Sequence, residues 1–190
     1  MSVGQGKYAL IERERRFLLR DLPPPLTRAS EHVQIWDNYV TGTRLRLRRI
    51  RVPLTKERVY KLTQKYAPDP PDFSRTLITN IYLSPAEYEV LSVFEGNEIR
   101  KNRYRFEHEG RVYSVDIFLG SLWGLVLAET SFETDEEMKG FAPPPFAVMD
   151  VTEDEMFTGA RLVELSIDDI RAELKARTKG GINSDGQDEN

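Results

Sequence analysis

Residues 44–48 read Arg-Leu-Arg-Leu-Arg, and no other stretch limits the fold as tightly. Successive side chains of a strand point to opposite faces, so Arg44, Arg46 and Arg48 share one face and Leu45 and Leu47 the other. Three cations in a row repel one another unless acids or an anion lie opposite. A half-buried sheet with its arginines in water gives the same pattern, so the alternation alone leaves both readings open.

Other stretches repeat the device with both signs. On a strand over 10–19, Glu12, Glu14 and Arg16 share a face, and Ile11, Arg13, Arg15 and Phe17 share the other. Two carboxylates so placed are close enough to share a divalent cation, and Arg16 is placed to hold an anion arriving with it. The same stretch also reads as a solvated edge strand whose alternating charges discourage aggregation. Val59, Lys61, Thr63 and Lys65 line one face of a strand over 58–65. Lys101, Arg103 and Arg105 line one face of a strand over 98–106. Further strands are expected over 32–40, 76–83, 111–118 and 125–133.

Helix signals fall between the strands. Ser84-Pro85-Ala86-Glu87 forms a capping box with proline at the first helical position, and Tyr88, Leu91 and Phe94 or Val90 make its apolar stripe. Thr134 opens a short helix whose acids Asp135, Glu136 and Glu137, with Glu133 before them, are expected on a solvated face. Thr152-Glu153-Asp154-Glu155 reads as another capping box. Ser166 opens the last helix, with Ile167, Ile170 and Leu174 on its buried face. Proline runs at 23–25, 68–71 and 143–145 mark loops.

Eight strands joined mostly by short turns predict an α+β fold, an eight-stranded antiparallel β-barrel, or tunnel, flanked by helices. Its charged faces point inward and its apolar faces outward. That inverts the usual arrangement, and an unpaired buried ion costs several kcal/mol. Such an interior calls for water, metal and an anionic ligand.

Composition sharpens this. Of 190 residues 31% are charged and 39% hydrophobic, with a net charge of −4. The chain as a whole is therefore no electrostatic nucleic-acid binder. Basic clusters at 44–51 and 100–105 point instead to a local anion site. The absence of cysteine excludes disulfides and thiolate chemistry. His32 and His108 are read as unrelated to each other. Trp36, Tyr39, Tyr60 and Trp123 are expected in the core or barrel shell, and Asp116 is expected to pair with a tunnel arginine. No apolar run approaches a membrane span or a signal peptide, so a cytoplasmic protein is expected. One domain is expected over 1–179, with loose order over 1–9 and a disordered tail over 180–190.

Seven short motifs, in order, make the chain resemble the CYTH, or triphosphate tunnel metalloenzyme, superfamily. They are Glu12-Arg13-Glu14-Arg15-Arg16, Arg44-Leu45-Arg46, Leu62-Thr63-Gln64-Lys65, Lys101-Asn102-Arg103-Tyr104, Val115-Asp116-Ile117-Phe118, Gly124 to Glu129, and Val151-Thr152-Glu153-Asp154. The resemblance covers roughly 8–165. It implies an eight-stranded tunnel in which Glu12, Glu14 and Glu129 hold Mg²⁺ or Mn²⁺. Arg44, Arg46, Lys65, Lys101 and Arg103 hold phosphates, and Glu12, Glu14 and Arg16 act in catalysis. The function implied is divalent-metal-dependent hydrolysis of inorganic tripolyphosphate or a small organic triphosphate. Two alternatives remain: a tunnel that binds polyphosphate or nucleotide without turnover, and a class IV-like adenylate cyclase. The expected partner is a small-molecule triphosphate or polyphosphate, not a membrane or a nucleic acid; a homodimer stays open. Three positions depart from the family pattern. Arg16 stands for lysine, Thr79-Asn80-Ile81 carries no acid, and Ser131 replaces a second carboxylate after Glu129.

Overall fold

The computed structural model describes residues 9–182, with side chains to Arg177. Eight strands carry the fold: β1 (Leu10–Leu19), β2 (Val33–Val40), β3 (Leu45–Arg51), β4 (Arg58–Tyr66), β5 (Arg75–Leu83), β6 (Gly96–His108), β7 (Arg111–Phe118) and β8 (Val126–Ser131). Their order around the sheet is β5-β4-β3-β2-β6-β7-β8-β1, and β1 returns to β5, so the sheet closes into an antiparallel barrel. Closure removes the open edges that invite aggregation. Helices α1 (Pro85–Leu91), α2 (Asp135–Lys139), α3 (Gly159–Leu162) and α4 (Ile167–Ile182) and a two-residue strand, β9 (Met149–Asp150), complete it.

β1 is the closing strand. Leu10 to Arg13 pair with Ile78 to Arg75 of β5, and Glu14 to Leu19 pair with Ser131 to Val126 of β8. Where β5 leaves the edge of β1, β9 takes it over, with Phe17 opposite Asp150 and Leu18 opposite Met149. The β6–β7 hairpin turns on Glu109 and Gly110, both at positive φ (49° and 74°), the geometry of a two-residue turn that follows strand twist.

The apolar residues form two clusters. Phe17, Tyr104, Phe106, Tyr113 and Val115 pack on the outside of the barrel beneath Phe141, Phe146 and the loop leucines Leu22 and Leu26. Ile99, Phe118 and Leu127 point inward and meet Phe157, Leu162 and Ile170. Proline-rich loops thus cover the outer apolar face, while the C-terminal helices close the interior. The reason is chemical: inward positions on β6, β7 and β8 turn apolar at Ile99, Phe118 and Leu127, and only an apolar plug satisfies them.

Several local expectations change. The apolar stripe of α1 is only partly covered: Val90 and Phe94 are exposed, Tyr88 and Leu91 are half-buried, and the Tyr88 ring lies tilted against Tyr60 at 4.4 Å. Thr152 does not cap a helix. Its hydroxyl accepts the backbone N–H of Arg16 at 3.0 Å, and Asp154 caps a 3-10 turn over Glu155–Phe157. The acids of α2 are not merely solvated: Asp135 pairs with Arg13 and Arg75, and Glu137 with Arg111. Part of the tail expected from 180 is helical, since α4 runs to Ile182. Residues 1–8 and 183–190 lie outside the described residues. Among the described residues no helix is long and apolar enough to cross a membrane.

Candidate active site

A cavity of about 460 Å³ fills the barrel. Every site residue expected from the sequence lines it: Glu12, Glu14 and Arg16 from β1, Arg44 and Arg46 at and within β3, Lys65 from β4, Lys101 and Arg103 from β6, and Glu129 from β8. Strand alternation places them there, since each set sits two residues apart on one face. The outward set of β1 behaves oppositely. Arg13 pairs with Asp135 and Arg15 with Asp150, while Phe17 is fully buried.

The acids inside are engaged by cations. Lys65 Nζ bridges the carboxylates of Glu12 and Glu14, at 3.3 Å from Glu14. Arg16 donates Nε to Glu129 at 3.0 Å, and Arg103 donates Nη2 to its other oxygen at 2.8 Å. Asp116 is 1% exposed and accepts Lys101 Nζ at 2.6 Å and Arg103 Nε at 2.7 Å, the pairing expected of it.

These neighbours set opposite pKa directions for two carboxyls on adjacent strands. Burial, and then repulsion from Glu129, push Glu14 above the usual glutamate range despite Lys65. Burial acts against ionised Glu129 too, but Arg16 and Arg103 outweigh it and hold Glu129 well below that range. Burial also lowers Lys101 below an ordinary lysine, in spite of Asp116.

Cations outnumber acids here. Among the described residues no carboxylate pairs with Arg44 or Lys61, which lie over the rings of Tyr66 and Tyr82 at 4.6 and 4.7 Å. Buried Arg16 Nη1 and Arg46 Nε have no hydrogen-bond partner. Buried donors of this kind ordinarily find an acceptor.

Metal fit is narrower. Among the described residues no group of three or more His, Asp or Glu side chains stands close enough to hold an ion together. Glu12 and Glu14 do converge on one cation, the Lys65 ammonium. Mg²⁺ commonly uses one or two carboxylates, with waters and substrate phosphates as its other ligands.

Some residues were not foreseen. Asp37, 1% exposed, is the acid beside two of the three arginines of 44–48, Arg46 and Arg48; the signal was the need for an acid opposite them. Arg48, Lys61 and Tyr39 also line the cavity. On β5 the inward residues are Thr76, Ile78 and Asn80. Thr79 and Ile81, where an acid was missed, face outward, so their identity does not alter the lining. Arg105, expected beside Arg103, is exposed and pairs with Glu107.

No family model matches the chain. An inorganic triphosphatase of Nitrosomonas europaea is 31% identical over 84 residues, which cover 43% of this chain and 56% of that protein. An inorganic triphosphatase of Acetivibrio thermocellus is 36% identical over 97 residues, covering 45% of this chain and 61% of that one. The chain therefore spans between half and two thirds of the length of these curated relatives. A crystal structure of an inorganic triphosphatase matches with a TM-score of 0.54 at 25% identity, covering 80% of this chain and 93% of the other.

Proposed function

We propose that this chain, a member of the CYTH, or triphosphate tunnel metalloenzyme, superfamily, hydrolyses inorganic tripolyphosphate or a small organic triphosphate with Mg²⁺ or Mn²⁺. The observation that supports this best is the meeting of four acidic or basic residues of the metal and catalytic set and five phosphate-binding candidates in one cavity.

Glu12 and Glu14 hold the divalent ion, with Glu129 behind them. When bound, such an ion neutralises charge on the phosphates and acidifies water. Arg44, Arg46, Lys101 and Arg103 bind and orient the triphosphate, and Lys65 and Arg16 join them once drawn from their carboxylates. Water forms the new bond to the terminal phosphorus. The anhydride P–O bond breaks, its oxygen leaves with the electron pair on the shortened phosphate, and the proton given up by the attacking water is taken by a phosphate oxygen. Fixed guanidinium and ammonium groups meet the charge spread over the phosphoryl oxygens, where their attraction exceeds that in water. The cytoplasmic setting and the small-molecule partner belong to the same reading.

The test is phosphate release from tripolyphosphate with Mg²⁺ or Mn²⁺ by the purified protein. Glu12→Ala with Glu14→Ala is expected to lower the rate about 100-fold or more. Release by the wild type no faster than by the double variant sinks the enzyme reading.

One observation favours a second reading, a tunnel that binds triphosphate without turnover: all three metal-ligand candidates are already paired with cations. Affinity for tripolyphosphate that survives a chelator, with no phosphate released when metal is restored, distinguishes it.

A further inference from the structure

Asp37 and Arg48 are paired side by side in the register of β2 and β3. Arg48 takes both carboxylate oxygens, with Nε 2.6 Å from Oδ1 and Nη2 2.7 Å from Oδ2. Arg46, two residues back on the same face, is held differently. Its Nε lies 3.7 Å from Oδ1 of Asp37, attracted but beyond hydrogen-bond range, and this buried N–H has no other partner. Its Nη2 reaches Thr63 Oγ1 at 3.5 Å, and Thr63 donates in turn to Asn80 at 2.7 Å. One carboxylate thus saturates Arg48 along a whole edge and leaves Arg46 attracted but without a carboxylate hydrogen bond, its guanidinium set between Asp37, Thr63 and the Tyr39 side chain. Without that carboxylate, two like charges about 7 Å apart along the strand repel across a poorly solvated wall.

We propose that Asp37 is a positioning residue for anion binding: it locks Arg48 into the wall as scaffold and draws Arg46 into place without forming a hydrogen-bonded pair with it, so that Arg46, which lines the cavity, keeps donor capacity for a phosphate. This rests on the triphosphate reading above. It also divides the alternating arginines into a ligand, Arg46, and a support, Arg48, a distinction their spacing does not contain.

The experiment measures binding of the imido analogue of tripolyphosphate, which resists hydrolysis, with Mg²⁺ present. Asp37→Asn is expected to weaken binding about ten-fold or more, the scale of one charge-assisted contact, and Asp37→Glu to restore part of it. In a protein already carrying Arg46→Ala, adding Asp37→Asn is expected to cost less than about two-fold, because both changes remove the same contact. Asp37→Asn leaves a buried arginine unpaired, so Asp37→Asn with Arg48→Met serves as the variant that removes the pair together. It is expected to fold and still to bind about ten-fold more weakly. Wild-type affinity in that double variant, or an undiminished effect of Asp37→Asn in the Arg46→Ala background, overturns the proposal. A wild type that does not bind the analogue overturns the triphosphate reading, and the proposal with it. A wild type that binds, with Asp37→Asn unchanged, overturns the positioning role alone.

Discussion

Glu14 and Glu129 face the same cavity with equal chemistry and opposite energetics. The fold resists ionising Glu14, through burial and the charge of Glu129. It favours ionised Glu129, through Arg16 and Arg103. Glu129→Gln leaves buried Arg16 without its carboxylate and half-buried Arg103 with Asp116 alone, and is expected to cost about 3 kcal/mol in urea unfolding at neutral pH. Glu14→Gln removes a charge the fold disfavours, so a cost under about 1 kcal/mol, or a gain, is expected. Equal losses for the two would contradict the assignment. The sign also fixes a pH dependence. The carboxyls of Asp37 and Glu129 are depressed in the folded state, so the stability they add is complete above about pH 4, the ordinary carboxylate value, and is lost as pH falls through their folded values. Asp37→Asn is therefore expected to flatten the acid limb of a stability-versus-pH curve; a limb as steep as that of the wild type argues against the pairing. Asp37 itself was legible only as a requirement. Alternating arginines demand an opposing acid, but sequence spacing does not say which strand lies opposite.

Elements were legible where alternation was strong, and β1, β3, β4 and β6 put their charged faces inward as their period of two requires. Reading failed where a local motif met a tertiary competitor. Thr152 looks like a cap, yet β9 brings it to the backbone of Arg16, which it accepts instead. The stretch Thr79-Asn80-Ile81 carried no acid in the sequence, and of its three residues only Asn80 lines the cavity, because neighbours in a strand face opposite sides. The closing role of α3 had no signature at all, because it depends on an absent side chain. At Gly159 an added Cβ would sit 1.9 Å from the Tyr39 hydroxyl and 2.9 Å from its Cζ. Gly159→Ala is thus expected to push α3 off β2 and destabilise the protein by about 1–3 kcal/mol, the range for overpacking. Adding Tyr39→Phe removes the nearest atom and is expected to recover part of the loss in thermal melts. If the double variant melts no higher than Gly159→Ala alone, the contact is not what holds α3 in place.

A barrel with charge inside must draw much of its stability from elsewhere, and here one apolar cluster lies outside the barrel, beneath loops, and a second joins the inward apolar residues to the C-terminal helices. The interior is tolerable because its ions are already paired: Lys65 with Glu12 and Glu14, Arg16 and Arg103 with Glu129, Lys101 with Asp116, Arg48 with Asp37. The folded state therefore does not depend on a metal, unlike small domains that unfold when their ion is removed. A chelator is expected to abolish phosphate release while leaving the melting temperature almost unchanged. Ligand is expected to have a different effect, because an anion entering the cavity meets its surplus cations. Tripolyphosphate analogue with Mg²⁺ at about 100 times its dissociation constant adds about 2.7 kcal/mol of stability by mass action. At about 2–4 °C per kcal/mol for a chain of this size, the melting temperature is expected to rise by about 5–10 °C. Both halves can be read in one differential scanning fluorimetry series. Unfolding by chelator alone would mean that the internal ion pairs do not carry the interior, and no rise with the analogue would mean that the tunnel is not a triphosphate site.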